Sequence, residues 1–287
     1  MEQLLTWLPL NEILTISPTE LGITLIIGCL IGLVLGMTGV GGGVLIIPVL
    51  RSAFQMNPVL AVGTTSICAS LMKVNAAALH IKMGNVHWQK SLLMLTGAIP
   101  ATYLTTSFII QLTQNPDTTG LIDSTINYMI IAVIVFSLAS MVYKDMKGTK
   151  KQPEQREQSD IHTKKGIMDY IQPALAGAGS GVVIGATGFG GGVLLLPILT
   201  VLLRVNIKQA VGSSIVIALL LSSLSALTYS GGGQADMVTA SILIEGSLIG
   251  VPVAGKMVKL VSGKALHRLT LILITLSALM MMSSALG

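Results

Sequence analysis

One fifteen-residue stretch occurs twice in this chain, and it limits the possible folds more than any other feature. Residues 36–50 read GMTGVGGGVLIIPVL and residues 185–199 read GATGFGGGVLLLPIL, ten of the fifteen positions being identical at an offset of 149 residues. Each copy lies inside a long apolar run, and each glycine in a helix interior costs about 1 kcal/mol relative to alanine. Five glycines within eight residues (Gly36, Gly39, Gly41, Gly42 and Gly43 in the first copy) therefore interrupt the helix. Inside a bilayer an interrupted backbone is tolerated only where it is buried in protein or lines a polar cavity. Two interruptions at matching places in two halves are a pointer to a transport site. The register continues without a gap: Asn57 matches Asn206, Ala61-Val62-Gly63 matches Ala210-Val211-Gly212, Gly84 matches Gly233 and Gly97 matches Gly246. An internal duplication accounts for all of these.

The chain is 52% hydrophobic and 10% charged, with a mean hydropathy of +0.81. Soluble domains carry about 25% charge, so the composition predicts an all-α integral membrane protein. The net charge of +5 is not a nucleic-acid signal, because the basic residues sit in loops between apolar runs. Residues 1–20 hold Glu2, Glu12 and Glu20 and no Lys or Arg, which makes a poor signal peptide. An interfacial segment anchored by Trp7 is expected there. Cys29 and Cys68 both fall in apolar runs and read as small buried hydrophobes.

Apolar segments lie at about 21–50, 59–79, 91–112, 125–143, 172–203, 209–229, 238–255 and 269–286. Thirty residues of helix are about 45 Å long against a hydrocarbon core of about 30 Å. The first and fifth segments are therefore too long for one span and short for two. A hairpin of two shorter helices, entering and leaving on one side, fits them best, and a single crossing is the runner-up. With hairpins the two repeats are inverted. Loops 80–90, 144–169, 204–208 and 256–268, which hold most of the Lys and Arg, then share the cytoplasmic side, with both termini outside and Arg51 the exception. The expected organisation is an interfacial segment over 1–20, a first repeat over 21–147, a polar linker over 148–168 and a second repeat over 169–287. Each repeat is a glycine-broken hairpin plus three spanning helices.

The glycines are not a dinucleotide fingerprint or a phosphate-binding loop of the Walker type. No preceding strand, downstream acidic residue or following Lys-Ser/Thr is present. Their use here is different: glycine lets a ligand approach backbone N–H groups closely. A half-helix starting near Val44 has unpaired N–H groups and about half a positive charge at its end, an anion site without a lysine. The candidate binding residues are Thr38, Gly39, Gly41, Gly42 and Gly43, with Thr187, Gly188, Gly190, Gly191 and Gly192 in the second copy. The competing explanation is tight helix packing by small residues. Pro48 and Pro197 lie a turn further on and free more backbone.

Hydroxyls cluster in the next span: Thr64, Thr65 and Ser66 in one half, Ser213 and Ser214 in the other. They suit an oxyanion, and back-bonding to helix carbonyls is the ordinary alternative. Thr64, Ser66, Ser213 and Ser214 join the candidate site. Lys73 lies inside an apolar span and is a candidate by default, with snorkelling as the alternative; Asn75 follows it. Glu245 is a second buried-charge candidate. His80 and His87 flank a loop. No metal-ligand spacing of Cys and His occurs and no cofactor is expected.

The paired G-x-T-G-x-G-G-G-V-L-x-x-P elements, each followed by A-V-G and two hydroxyl residues, resemble the sulfite exporter TauE/SafE family over about residues 20–286. The resemblance implies a multi-pass transporter in the cytoplasmic membrane of a bacterium or archaeon. Its cargo would be a sulfur-containing anion such as sulfite, sulfoacetate or an organosulfonate. The partners expected are that anion and the lipid bilayer, with no nucleic acid; a homodimer is left open. The alternative class is an intramembrane enzyme or a receptor-like anion-binding protein, which leaves the duplicated motif unexplained.

Overall fold

The computed structural model describes residues 17–38, 43–146, 168–189, 191–257 and 263–286. Among these every regular element is helical. They are α1 Pro18–Thr38, α2 Gly43–Ser52, α3 Pro58–Lys82, α4 Trp88–Thr113, α5 Pro116–Met146, α6 Met168–Thr187, α7 Gly192–Pro197 with a π-helical turn Ile198–Leu202, α8 Ile207–Gly231, α9 Met237–Met257 and α10 Gly263–Leu286. Six of the described helices are long and apolar enough to cross a membrane. Their outer faces are apolar: Leu104, Leu121 and Leu227 are 65%, 71% and 74% exposed. A surface this apolar suits lipid rather than water, and the chain is an all-α membrane protein as its composition predicts. The expected interfacial segment up to residue 16 and nearly all of the polar linker lie outside the described residues.

Local chemistry repeats at the 149-residue offset. The side chain of Asn57 caps α3 by accepting the Leu60 N–H at 2.8 Å, and Asn206 caps α8 by accepting the Lys208 N–H at 3.2 Å. Asparagine at this position satisfies one of the otherwise unpaired first N–H groups. The turns that close α3 and α8 place Gly84 and Gly233 at φ +68° and +69°.

Two contacts set the helix directions. Thr64 Oγ1, near the start of α3, accepts the Asp236 N–H at 3.0 Å, just before α9. Ser213 Oγ, near the start of α8, accepts the His87 N–H at 2.9 Å, just before α4. The start of α3 thus meets the end of α8 and the reverse, so the two helices run antiparallel. On the flanks, Gly28, Gly32 and Gly36 of α1 face Leu243, Ser247 and Val251 of α9, the register climbing together. Gly177, Gly181 and Gly185 of α6 face Met94, Ala98 and Thr102 of α4 in the same way. A Cβ on Gly32 would come within 2.6 Å of the Ser247 Cα, so backbone packs on backbone, the usual reason for small residues every fourth position in membranes. Each half therefore lends its first helix to the other half. Since α1 runs with α9, and α9 returns against α8, α1 and α3 point the same way. The short α2, about 15 Å long, carries the chain back between them.

These directions sort the charges. Lys82, Lys90, Arg204 and Lys208 gather at the end of the bundle holding the α3–α4 turn. Glu20, Arg51, Asp117 and Asp236 lie at the other. The apolar part of the interior is doubled. Ile46, Leu50, Met56, Ala61 and Cys68 form one cluster between α1, α2, α3 and α9. Their counterparts Leu195, Leu199, Val205, Ala210 and Ile217 form another between α4, α6, α7 and α8. A third cluster joins α5 and α10 to Val44, Ile47, Val59 and Val62 of the first half.

Candidate functional site

The two broken segments meet inside the bundle. A Cβ on Gly43 would lie 2.7 Å from the Phe189 Cα and 3.0 Å from the Gly188 carbonyl oxygen. Gly188 adopts φ +63°, and a Cβ there would sit 2.7 Å from the Val62 carbonyl oxygen and 3.1 Å from Ser66 Oγ. Positive φ and the absence of a side chain are thus both required at Gly188. Gly191 also has positive φ, +70°, and precedes α7. Tyr229, wholly buried, donates its hydroxyl to the Gly185 carbonyl at 2.8 Å just before the second break. That tyrosine, Val62 and Phe189 belong to the walls of the break and escape the sequence reading. The offset to His80 was the available signal for Tyr229.

Helix α7 starts at Gly192, after Gly191, as the sequence expects, and α2 is described from Gly43 onward. Gly39, Gly41, Gly42 and Gly190 fall outside the described residues, as does the side chain of Thr38; Gly192 is described only as the first residue of α7. Thr187 is buried and returns its hydroxyl to the Val183 carbonyl at 2.6 Å. Ser66 and Ser214 likewise bond back to Val62 and Val211, at 2.9 and 2.8 Å. Only Ser66 of these is seen against a break glycine. Thr64 and Ser213 serve the loops before α9 and α4, and Thr64 also donates to the Leu60 carbonyl. Thr65 differs from its neighbours: its Oγ1 is buried without a hydrogen-bond partner, and so are the hydroxyls of Ser222 and Ser225 on α8.

Lys73 is half-buried and its Nζ donates to the Ala69 carbonyl one turn back, at 2.9 Å. Asn75 is exposed on α3. Glu245, expected to be buried, is exposed on α9; an apolar run does not reveal which of its faces meets lipid. Packing is the right explanation for Gly36 and Gly185, which press on α9 and α4 rather than opening the backbone. Both cysteines are free, Cys29 half-buried and Cys68 buried with its thiol 3.8 Å from the Ala240 carbonyl. Among the described residues no group of three or more His, Cys, Asp or Glu side chains could hold a metal ion.

Six long apolar helices packed around glycine-rich segments define a multi-pass membrane protein. The sulfite exporter TauE/SafE family model matches residues 24–281, and the chain belongs to that family. It is similar to the probable membrane transporter protein YjnA of Bacillus subtilis, 25% identical over 228 residues that cover 79% of this chain and 86% of the relative. A probable membrane transporter protein of Haemophilus influenzae is 27% identical over 227 residues, covering 76% and 77%. The probable membrane transporter protein MJ0441 of Methanocaldococcus jannaschii is 24% identical over 201 residues, covering 68% and 67%. No solved structure matches the chain significantly.

Proposed function

We propose that this protein is a secondary transporter that moves a small sulfur-containing anion, of the sulfite, sulfoacetate or organosulfonate class, between its two glycine-rich breaks. The observation that carries the reading is their convergence, Gly43 against Gly188 and Phe189 with Ser66 beside Gly188. In this reading α2 begins at its glycines, and its first turn brings unpaired N–H groups and the positive end of a helix dipole to that crossing. The partnerless hydroxyls of Thr65, Ser222 and Ser225 are further donors in the bundle's interior. Family membership supports the class of cargo.

The two halves act as inverted repeats in this reading, the glycine-rich segments being hairpins. The end carrying Lys82, Lys90, Arg204 and Lys208 faces the cytoplasm, in a bacterial or archaeal cytoplasmic membrane, and both termini face outward. The membrane potential, negative inside, then favours exit of a monoanion by about 2.3 kcal/mol per 100 mV.

Counterflow in liposomes with sulfite, sulfoacetate and sulfate tests the cargo. Exchange of at least one sulfur oxyanion above protein-free liposomes is expected. Binding without exchange would replace the transporter reading by a receptor. Cysteine placed at Ser159 should label from the cytoplasmic side alone and at Gly287 from the outside alone. The reverse pattern would sink the orientation.

A further inference from the structure

Helix α3 carries a polar stripe that runs past the central crossing. Ser66, Ser70, Lys73 and Ala77 recur at the i, i+4, i+7 and i+11 spacing of one helix face. Ser66, Ser70 and Ala77 are buried, whereas Leu71, Val74 and Asn75 on the other side are exposed. Lys73 therefore points into the bundle. It lies about 10 Å beyond Ser66 toward the basic end, and about 13 Å short of Lys82. A lysine that snorkels uses its length to reach water. Lys73 folds back instead, its Nζ donating to the Ala69 carbonyl at 2.9 Å, its one partner among the described residues. We infer that this stripe is the route of the anion between the crossing and the basic end, with Lys73 as the countercharge along it. The inference rests on the transporter reading and assigns to it a path and a charged residue on that path.

The facing helix supplies a second observation. Gly63 of α3 meets the Gln234 carbonyl and the Tyr229 Cβ, and Gly212 of α8 meets the Asn85 carbonyl just after α3. That antiparallel register puts Lys73 level with Leu224, between Ser222 and Ser225. Ser222, Ser225 and Tyr229 follow one another at i, i+3 and i+7 on one side of α8, and the contact of Tyr229 with Gly63 turns that side toward α3. Ser222 and Ser225 are 1% and 0% exposed, and their hydroxyls have no hydrogen-bond partner. Buried hydroxyls are ordinarily paired. Two free donors level with a cation suit a visiting oxyanion. Ser66 and Ser70 return their hydroxyls to the Val62 and Ile67 carbonyls, at 2.9 and 2.8 Å, and can turn them to the anion as it passes.

The other half lacks the stripe. At the 149-residue offset Ser66, Ser70 and Lys73 are replaced by Ile215, Leu219 and Ser222. The shared architecture therefore stands without these polar groups in its second copy, and they belong to the half whose long helix leads from the crossing to the basic end. Burial of Ser66 and Ser70 shuts the stripe in this conformation, so the anion moves along it when α3 and α8 part.

The full-length protein in liposomes is assayed for counterflow of sulfite, sulfoacetate and sulfate, with thiol labelling of the same samples. Lys73→Met should slow exchange at least about tenfold, a lower bound for truncating one partner of a buried charge pair. Lys73→Arg keeps the charge and should stay within about threefold of wild type. Ser70→Cys should react with the anionic reagent sulfonatoethyl methanethiosulfonate beyond the level that the native cysteines give in wild type, and an excess of the exchanged anion should slow that reaction. Leu219→Cys, its counterpart, should stay at the wild-type level. A folded Lys73→Met that exchanges like wild type overturns the route, and so does an unreactive Ser70→Cys; either result leaves the transporter reading standing. Equal loss of exchange in Lys73→Met and Lys73→Arg also overturns it, because the position would then serve packing rather than charge. If Lys73→Met does not assemble, the labelling of Ser70→Cys decides. A wild type that exchanges none of the three anions overturns the transporter reading and the route with it.

Discussion

Ile47 in the first broken segment packs in a cluster with Ile126, Ile130 and Ile134 of α5 and Ile274 and Met281 of α10. Its counterpart in the second segment, Leu196, is half-buried at the edge of a core that draws on neither α5 nor α10. Further along the same segment Val201 is 78% exposed. The helices that follow the two breaks share their caps and turns, whereas the cover of the two broken segments differs. Six helical residues and a π turn replace the ten continuous residues of α2. What the halves share is what a broken helix needs to exist in a membrane; what they do not share is how firmly each break is held.

The comparison can be tested from its strongest point downward. Gly63 and Gly212 each press on a carbonyl of the opposite half, that of Gln234 and that of Asn85. Gly63→Val and Gly212→Val should both prevent assembly, each costing upwards of about 3 kcal/mol, seen as loss of the monodisperse peak on size exclusion. A well-folded protein from only one of them would break the equivalence. Gly188→Ala adds a side chain at positive φ against Val62 and Ser66. Its strain of about 1–3 kcal/mol should leave the protein assembled and lower counterflow at least about tenfold.

Unequal cover predicts unequal opening. Amides of α7 should exchange with deuterium about tenfold faster than those of α2, a difference of about 1.4 kcal/mol in local stability. Equal protection would mean that α5 and α10 add nothing to the first break. The caps should behave alike: Thr64→Val and Ser213→Ala each strand one N–H, of Asp236 or His87, and each should cost about 1–3 kcal/mol at most, read from thermal unfolding in detergent. The smallest effect concerns pH. Burial, aided by the nearby Lys90, holds the His87 imidazole below its ordinary 6.5, against an opposing backbone hydrogen bond. A depressed folded value means that the contribution is complete above about pH 6.5 and is lost as the pH falls from there through the folded value. The thermal midpoint should therefore drop modestly from pH 7 to pH 5, and His87→Asn should flatten that dependence.

The duplicated stretch made the breaks legible, because glycine clusters leave a mark that survives in any apolar context. The start of α7 at Gly192 followed from it. Asn57 and Asn206 are visible in the same way, being polar caps before long apolar runs. The faces of the helices were not legible. Lipid and protein interior are both apolar, so Asn75 and Glu245 carry no sign that they point outward. Thr64 and Ser213 look like site residues because their partners, Asp236 and His87, stand 172 and 126 positions away. Gly28 and Gly32 share a packing role with Gly36 that only the neighbouring α9 makes apparent.

The crossed pairing of α1 with α9 and of α6 with α4 has a consequence for how the protein is made. Synthesis delivers α4 to the bilayer before α6 exists, so the seam around Gly97, Ala98 and Thr102 waits without its partner. The longest wait falls on α1, whose own partner α9 is nearly the last helix to emerge. Neither half can mature alone, and a gene cut at the linker would yield working protein only when both fragments are translated into the same membrane.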